Sequence, residues 1–133
     1  MEAMTKDKKI RGMNLSFAKT VAYGGDGMNQ EWEDEMSKFL KSHQASYGLM
    51  KGYGMTEMAG PVCTSNHKFP VMLPFFCNNI KILDIDTGEE LGYEQEGEIC
   101  VSGPSMMMEY YKNPEATREI IFEENGTRWL RTG

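Results

Sequence analysis

Residues 20–55, TVAYGGDGMNQEWEDEMSKFLKSHQASYGLMKGYGM, decide the fold. A short apolar run at residues 20–23 stops at Gly24 and Gly25, as a buried strand does when it opens into a loop. Asn29 then stands where a helix N-cap belongs, and Trp32, Met36, Phe39 and Leu40 recur behind it at helical spacing. Glu31, Glu33, Asp34 and Glu35 crowd the first turns, while Lys38, Lys41 and His43 come later, the order a helix dipole favours. This pattern buries one apolar stripe and leaves the acid run as a solvated face rather than a metal site. Residues 47–53 read as a second buried strand. Strand, helix, strand predicts a parallel α/β sheet. The loops at 24–28 and 54–60 both follow strand ends, where open parallel sheets take their ligands.

The second loop carries the chemistry. Gly52 and Gly54 flank Tyr53, and without Cβ atoms they let the backbone turn and a ligand come close, leaving the ring free for a flat partner. Thr56 offers a hydroxyl to a phosphate, and Glu57 offers a hard oxygen suited to Mg²⁺ at a triphosphate. These residues alone also fit a blander arrangement, with Tyr53 packed at a strand end and Thr56 and Glu57 capping a loop.

Beyond it, residues 61–79 are expected to be irregular, broken by Pro70, Pro74, Asn78 and Asn79. Cys63, His67 and Cys77 match no paired-ligand zinc spacing. Residues 80–85 and 98–102 read as strands, and Asp86-Thr87-Gly88-Glu89 is turn chemistry, so residues 80–103 predict a hairpin-like, β-rich region. Asp84 and Asp86 resemble the opening of a calcium loop whose later ligands are missing. Asn113 and Pro114 start a helix with Ala116, Ile120 and Ile121 inside, ended by Asn125-Gly126. Residues 127–132 read as a last strand. The expected organisation is a mobile lead-in at 1–13, an α/β part with nucleotide-binding loops at 14–60, and a β-rich subdomain with one short helix at 61–133.

A chain of 133 residues suffices for one domain with a real core, and its net charge of −6 argues against nucleic-acid binding. Three irregularly spaced cysteines predict no disulfide framework and a reducing, cytoplasmic setting. No apolar run approaches the roughly 20 residues needed to span a bilayer. Twelve methionines supply an adaptable core or face.

Gly-Tyr-Gly-Met-Thr-Glu at 52–57 resembles the signature of the adenylate-forming (AMP-binding) superfamily, which includes acyl-CoA synthetases, luciferases and peptide-synthetase adenylation domains. Four further segments are similar to the superfamily's motifs and follow its order: Tyr23-Gly24-Gly25-Asp26-Gly27-Met28, Gly97-Glu98-Ile99-Cys100-Val101-Ser102-Gly103-Pro104, Tyr110-Tyr111-Lys112-Asn113-Pro114-Glu115-Ala116-Thr117 and Trp129-Leu130-Arg131-Thr132-Gly133. The resemblance implies a parallel α/β sheet subdomain followed by a β-rich, distorted barrel-like one. It implies a ligase that joins a carboxylic acid to AMP, using ATP and Mg²⁺, and passes the acyl group to a thiol, CoA first among them. Tyr53 would stack on adenine, Thr56 would contact the α-phosphate and Glu57 would hold Mg²⁺. Gly24, Gly25 and Asp26 would border the adenine, and Gly52, Gly54 and Pro61 would line the acid pocket. Asp26-Gly27 departs from the usual small residue or Glu followed by Pro, placing a carboxylate near the adenine edge, and Met72, Phe76 and Cys77 stand where relatives tend to use Gly and Pro, so the acid stays open: a medium or long fatty acid, an aromatic acid or an amino acid.

The superfamily's upstream phosphate loop, its C-terminal domain with the adenylation lysine, and the Asp expected after Gly133 are not found. The chain is therefore expected to be an internal fragment, not itself catalytic, whose partners are the N- and C-terminal parts of the same ligase. Self-association through the sheet edge beside residues 20–23 is also expected. The alternative is a non-catalytic protein-interaction or nucleotide-binding module derived from that family.

Overall fold

The computed structural model describes residues 6–133 except Lys8, Arg11, Asp26, Met28, His67 and Lys68, and leaves the side chains of Asn66, Phe69 and Pro70 undescribed. Part of the expected lead-in, His67 of the zinc reading and Asp26 of the adenine edge thus lie outside the described residues. Strand β1 (Val21–Tyr23), helix α1 (Gln30–Ser42) and strand β2 (Leu49–Met55) follow the predicted order. Asn29 caps α1: its side chain accepts the Trp32 N–H at 2.9 Å. β1 and β2 pair in parallel, with Val21 opposite Leu49 and Tyr23 opposite Lys51. Leu15, Tyr23, Met36, Leu40, Ala45 and Leu49 form one buried cluster, with Val21 and Phe39 packed on it. Of the stripe the sequence marks, the helix thus turns Met36, Phe39 and Leu40 into this cluster, while Trp32 is half-buried outside it.

The chain divides into two compact units, residues 1–53 with 63–73, and residues 54–62 with 74–133. The divisions at 53/54 and 62/63 fall inside β2 and inside β3 (Gly60–Asn66). With β4 (Phe69–Pro74) these strands complete a sheet in the order β1-β2-β3-β4. Residues 61–66 and 69–74 are thus strand, not irregular. The two prolines of β4 sit in a terminal strand of the sheet, where a missing N–H costs no ladder bond on the open side. Turn chemistry begins only after Pro74, where Asn78 N–H bonds Phe75 O at 2.8 Å.

The second sheet, in the order β5-β6-β8-β7, is antiparallel throughout. β5 (Asn79–Leu83) and β6 (Glu98–Ser102) form the expected hairpin-like pair, with Lys81 opposite Cys100. Asp84 Oδ1 accepts the Asp86 and Thr87 N–H groups at 2.9 and 2.7 Å, an Asx turn in place of a calcium loop. These bonds hold the Asp84 carboxyl below its ordinary value. Helix α2 (Pro114–Ile120) starts where predicted, with Asn113 accepting the Ala116 N–H at 3.2 Å. It ends earlier than expected. Ile121 leaves the helix for β7 (Ile121–Glu124), and Asn125-Gly126, at φ 51° and 75°, makes a two-residue turn into β8 (Thr127–Arg131). Two consecutive residues at positive φ are what a tight hairpin turn requires, so Asn-Gly joins two strands here and does not stop a helix.

Candidate functional site

The first unit holds Gly24, Gly25, Gly52 and Tyr53. A Cβ on Gly24 would lie 2.7 Å from the carbonyl oxygen of Gly52, and one on Gly52 would lie 3.5 Å from that of Tyr23. Gly24 therefore lets the carboxyl end of β1 lie against its parallel neighbour, whereas a Cβ on Gly52 would make only ordinary contact. Gly25 has φ +86°, so the chain leaves the strand through a left-handed residue with open space at its Cβ position. Tyr53 is half-buried near the end of β2. Lys51 beside it is tied by both backbone groups: its N–H donates to Ser65 Oγ at 2.8 Å, and its carbonyl accepts the Thr64 hydroxyl at 3.1 Å.

The second unit holds Gly54, Thr56, Glu57 and Pro61. A Cβ on Gly54 would overlap the carbonyl oxygen of Gly60 and come within 2.5 Å of Pro61 Cα. That side of residue 54 is filled by backbone. Thr56–Met58 then form one 3₁₀ turn, closed by Ala59 in the left-handed region at φ 54°, whose N–H returns to Thr56 O at 2.9 Å. Met58 is buried and anchors the turn, Thr56 is exposed and Glu57 is half-buried. Pro61 is exposed.

Glu57 is fixed at two points. Its carbonyl accepts the Met107 N–H at 2.7 Å, and its Oε1 accepts the Tyr110 hydroxyl at 2.5 Å. That bond to a carboxylate, with lesser help from burial, pushes the Tyr110 phenol above its ordinary value. The other carboxylate oxygen, Oε2, has no hydrogen bond among the described residues. No group of three or more His, Cys, Asp or Glu that could hold a metal occurs among them. One half-occupied carboxylate still suits Mg²⁺, which binds through one or two carboxylates while nucleotide phosphates and water complete its octahedron.

Tyr110 belongs to a quoted motif, but nothing in the sequence assigns it to Glu57, 53 positions away. Among the described residues two members of the acid run of α1 accept side-chain hydrogen bonds: Glu33 Oε2 from the Tyr23 hydroxyl at 2.9 Å, and Asp34 Oδ1 from the Gln30 amide at 3.0 Å, one turn away on the helix surface. Burial pushes the Cys63 and Cys100 thiols up, with Glu98 adding to the shift at Cys100.

The sequence model described as AMP-binding enzyme matches residues 1–111. A luciferin 4-monooxygenase of Luciola mingrelica is 35% identical over 136 residues, an alignment covering 98% of this chain and 23% of that protein. A 4-coumarate–CoA ligase of Pinus taeda is 37% identical over 141 residues, covering 98% of this chain and 25% of that protein. The crystal structure of a long-chain-fatty-acid-CoA ligase from Archaeoglobus fulgidus superposes with a TM-score of 0.82 at 22% identity, covering 99% of this chain and 28% of that one, and so shares its fold. The chain spans about a quarter of the length of the relatives it matches.

Proposed function

The chain belongs to the AMP-binding enzyme family, and on that premise we propose that it is part of an AMP-forming carboxylate ligase. The acid's carboxylate oxygen attacks the α-phosphorus of ATP and the bond to pyrophosphate breaks. A thiol then attacks the acyl carbon and AMP leaves. CoA is the proposed acceptor, since ligases that use it stand among the relatives. A medium or long fatty acid is the proposed acid class, with an aromatic acid as the second candidate. The proposed setting is the cytoplasm; no helix among the described residues is long and apolar enough to cross a membrane.

The observation that carries this reading is the turn after β2, where Glu57 presents a carboxylate with one oxygen held by Tyr110 and the other without a hydrogen bond among the described residues. Within the proposal, Tyr53 stacks on adenine, Thr56 donates to the α-phosphate and Glu57 holds Mg²⁺. Gly24, Gly25 and Asp26 border the adenine, and Gly52, Gly54 and Pro61 line the acid pocket. Bound there, Mg²⁺ would offset charge on the phosphate oxygens. Residues 14–60 supply the nucleotide loops and 61–133 the β-rich wall. The remaining length of such a ligase supplies its phosphate loop and lysine, and the isolated chain is proposed to lack turnover. Its β1 edge is proposed to mediate weak self-association.

Calorimetric titration with Mg-ATP and with AMP tests the reading. Stacking on an aromatic ring contributes about 1–3 kcal/mol per base, so Tyr53→Ala should weaken both ligands by roughly tenfold. Equal affinities in wild type and variant would remove Tyr53 from the site. Robust ATP–pyrophosphate exchange by the chain alone would overturn the non-catalytic assignment.

A further inference from the structure

The segment that meets Glu57 is itself braced. Tyr110 N–H donates to Thr117 Oγ1 at 2.9 Å, and that hydroxyl donates to the Asn113 carbonyl at 3.0 Å. Asn113 N–H returns to Tyr110 O at 3.1 Å while its side chain caps α2, so the tyrosine backbone is locked into the helix start. From the other side, Arg128 of β8 donates to the Met108 carbonyl at 2.9 Å and to that of Met107 at 3.4 Å. Met107 in turn donates its N–H to the Glu57 carbonyl. One strand and one helix start therefore brace a short segment that meets Glu57 twice, through the Met107 N–H and the Tyr110 hydroxyl.

Such bracing exceeds what a surface carboxylate needs. A single side-chain hydrogen bond adds little net stability, and a flexible Glu gives up side-chain entropy to make it. Held at Oε1, however, the carboxylate has a fixed plane, and its second oxygen points in one direction. Partners of this kind orient a metal-binding side chain, and losing one typically costs about 10–100-fold in metal affinity.

We propose that Tyr110 is a positioning residue that orients the Glu57 carboxylate for a nucleotide-bound divalent cation. It acts through Glu57 and touches neither nucleotide nor acid. This rests on the reading of Glu57 as the Mg²⁺ ligand given above. The Asn-Pro-Glu-Ala-Thr segment gains a role from it: Asn113 and Thr117 hold the tyrosine that holds the glutamate.

The test uses Mn²⁺ in place of Mg²⁺ and reads paramagnetic broadening of assigned amide resonances at residues 55–59 as Mn²⁺ is added with saturating ATP. Three proteins are compared: wild type, Tyr110→Phe and Glu57→Gln. The phenylalanine keeps the ring and deletes only the hydroxyl. It should need about tenfold more Mn²⁺ for half-maximal broadening while metal-free AMP affinity is unchanged, a split that a merely structural tether would not produce. Thermal unfolding shows whether the variant is folded. Should it not be, Tyr110→His, which restores an N–H donor on a shorter ring, is read in the same way and should fall between wild type and Glu57→Gln; a wild-type midpoint in a folded Tyr110→His whose crystal structure lacks a bond to Glu57 overturns the inference. A Tyr110→Phe midpoint equal to wild type, with Glu57→Gln impaired, overturns this inference and leaves Glu57 as the ligand. Wild-type behaviour in Glu57→Gln, or no broadening in wild type, overturns the metal assignment itself.

Discussion

The phenol of Tyr23 donates to Glu33 Oε2 across 2.9 Å, joining the last residue of β1 to the first turn of α1. Burial, and then the neighbouring carboxylate, push the Tyr23 phenol up to about 12. An unfolded tyrosine ionises near pH 10. Above that pH the unfolded chain has released a proton that the folded chain still holds, so rising pH favours unfolding. Stability from this group is therefore complete below about pH 10 and is lost as the pH climbs toward about 12. Urea titrations at steps from pH 8 to 11.5 should show this decline, and Tyr23→Phe should flatten it. At neutral pH the same substitution should cost about 1.5 kcal/mol, the value of a hydrogen bond to a charged acceptor.

Gly54 is the residue least able to accept a side chain. An added methyl would meet Gly60 and Pro61 backbone, and backbone cannot swing aside as a flexible side chain can. Gly54→Ala should destabilise the protein by about 2 kcal/mol or more, in the range found for overpacked interiors. Gly27→Ala, with nothing within 4 Å of the new carbon, should stay within about 0.5 kcal/mol of wild type. Equal denaturant midpoints for the two variants would contradict the close approach.

The ammonium of Lys81 is paired with Glu124 at 2.5 Å and lies 4.5 Å from the Trp129 ring centroid and 5.2 Å from that of Phe122. The two partners are buried unequally: the Lys81 side chain is 3% exposed and that of Glu124 is 50% exposed. Removing the acid strands a buried cation, whereas removing the lysine returns an acid to water. Glu124→Gln should therefore cost about 2 kcal/mol or more, while Lys81→Met, which refills the space with apolar volume, should cost less. Chemical denaturation at low and high salt reads this ordering, and the reverse ordering would refute it.

The two asparagine caps should differ in consequence. Asn29→Ala and Asn113→Ala each remove a cap worth about 1 kcal/mol. α1 buries Met36 and Leu40, but α2 has seven residues and none buried, so it leans more heavily on its cap. Amide exchange in α2 should accelerate markedly in Asn113→Ala, while α1 in Asn29→Ala should fray only at its first turn.

The elements legible in the sequence are those with a local cause. Asn29, the acid-then-base order and the Met36–Leu40 spacing lie within one helix, and each acts within a few residues. Residues 61–79 were opaque because a proline forbids a central strand but not a terminal one, and which strand is terminal depends on the whole sheet. Ile120, Ile121 and Phe122 form an apolar run too short to have a period, so helix and strand were equally open there. The stronger signal was Asn125-Gly126, which names a hairpin by its left-handed geometry. At the candidate site, the two glycines around Tyr53 were visible, but for Gly54 the demand comes from the Gly60–Pro61 backbone. The bond between Tyr110 and Glu57 had no sequence signal, because nothing local in either motif encodes a meeting across 53 positions.

The order β5-β6-β8-β7 places the last-synthesised of these four strands in the interior of the sheet. During translation β6 can zip onto β5 as soon as both have emerged, but its other edge must wait. In the folded sheet that place belongs to β8, and β7 pairs with β8 on its far side. The Asn125-Gly126 hairpin is the remedy: it closes locally, on the microsecond scale of hairpins, and can then dock as a preformed pair. Insertion of that hairpin is the step at which the sheet becomes whole, and until it happens β6 presents an open, aggregation-prone edge to the cell.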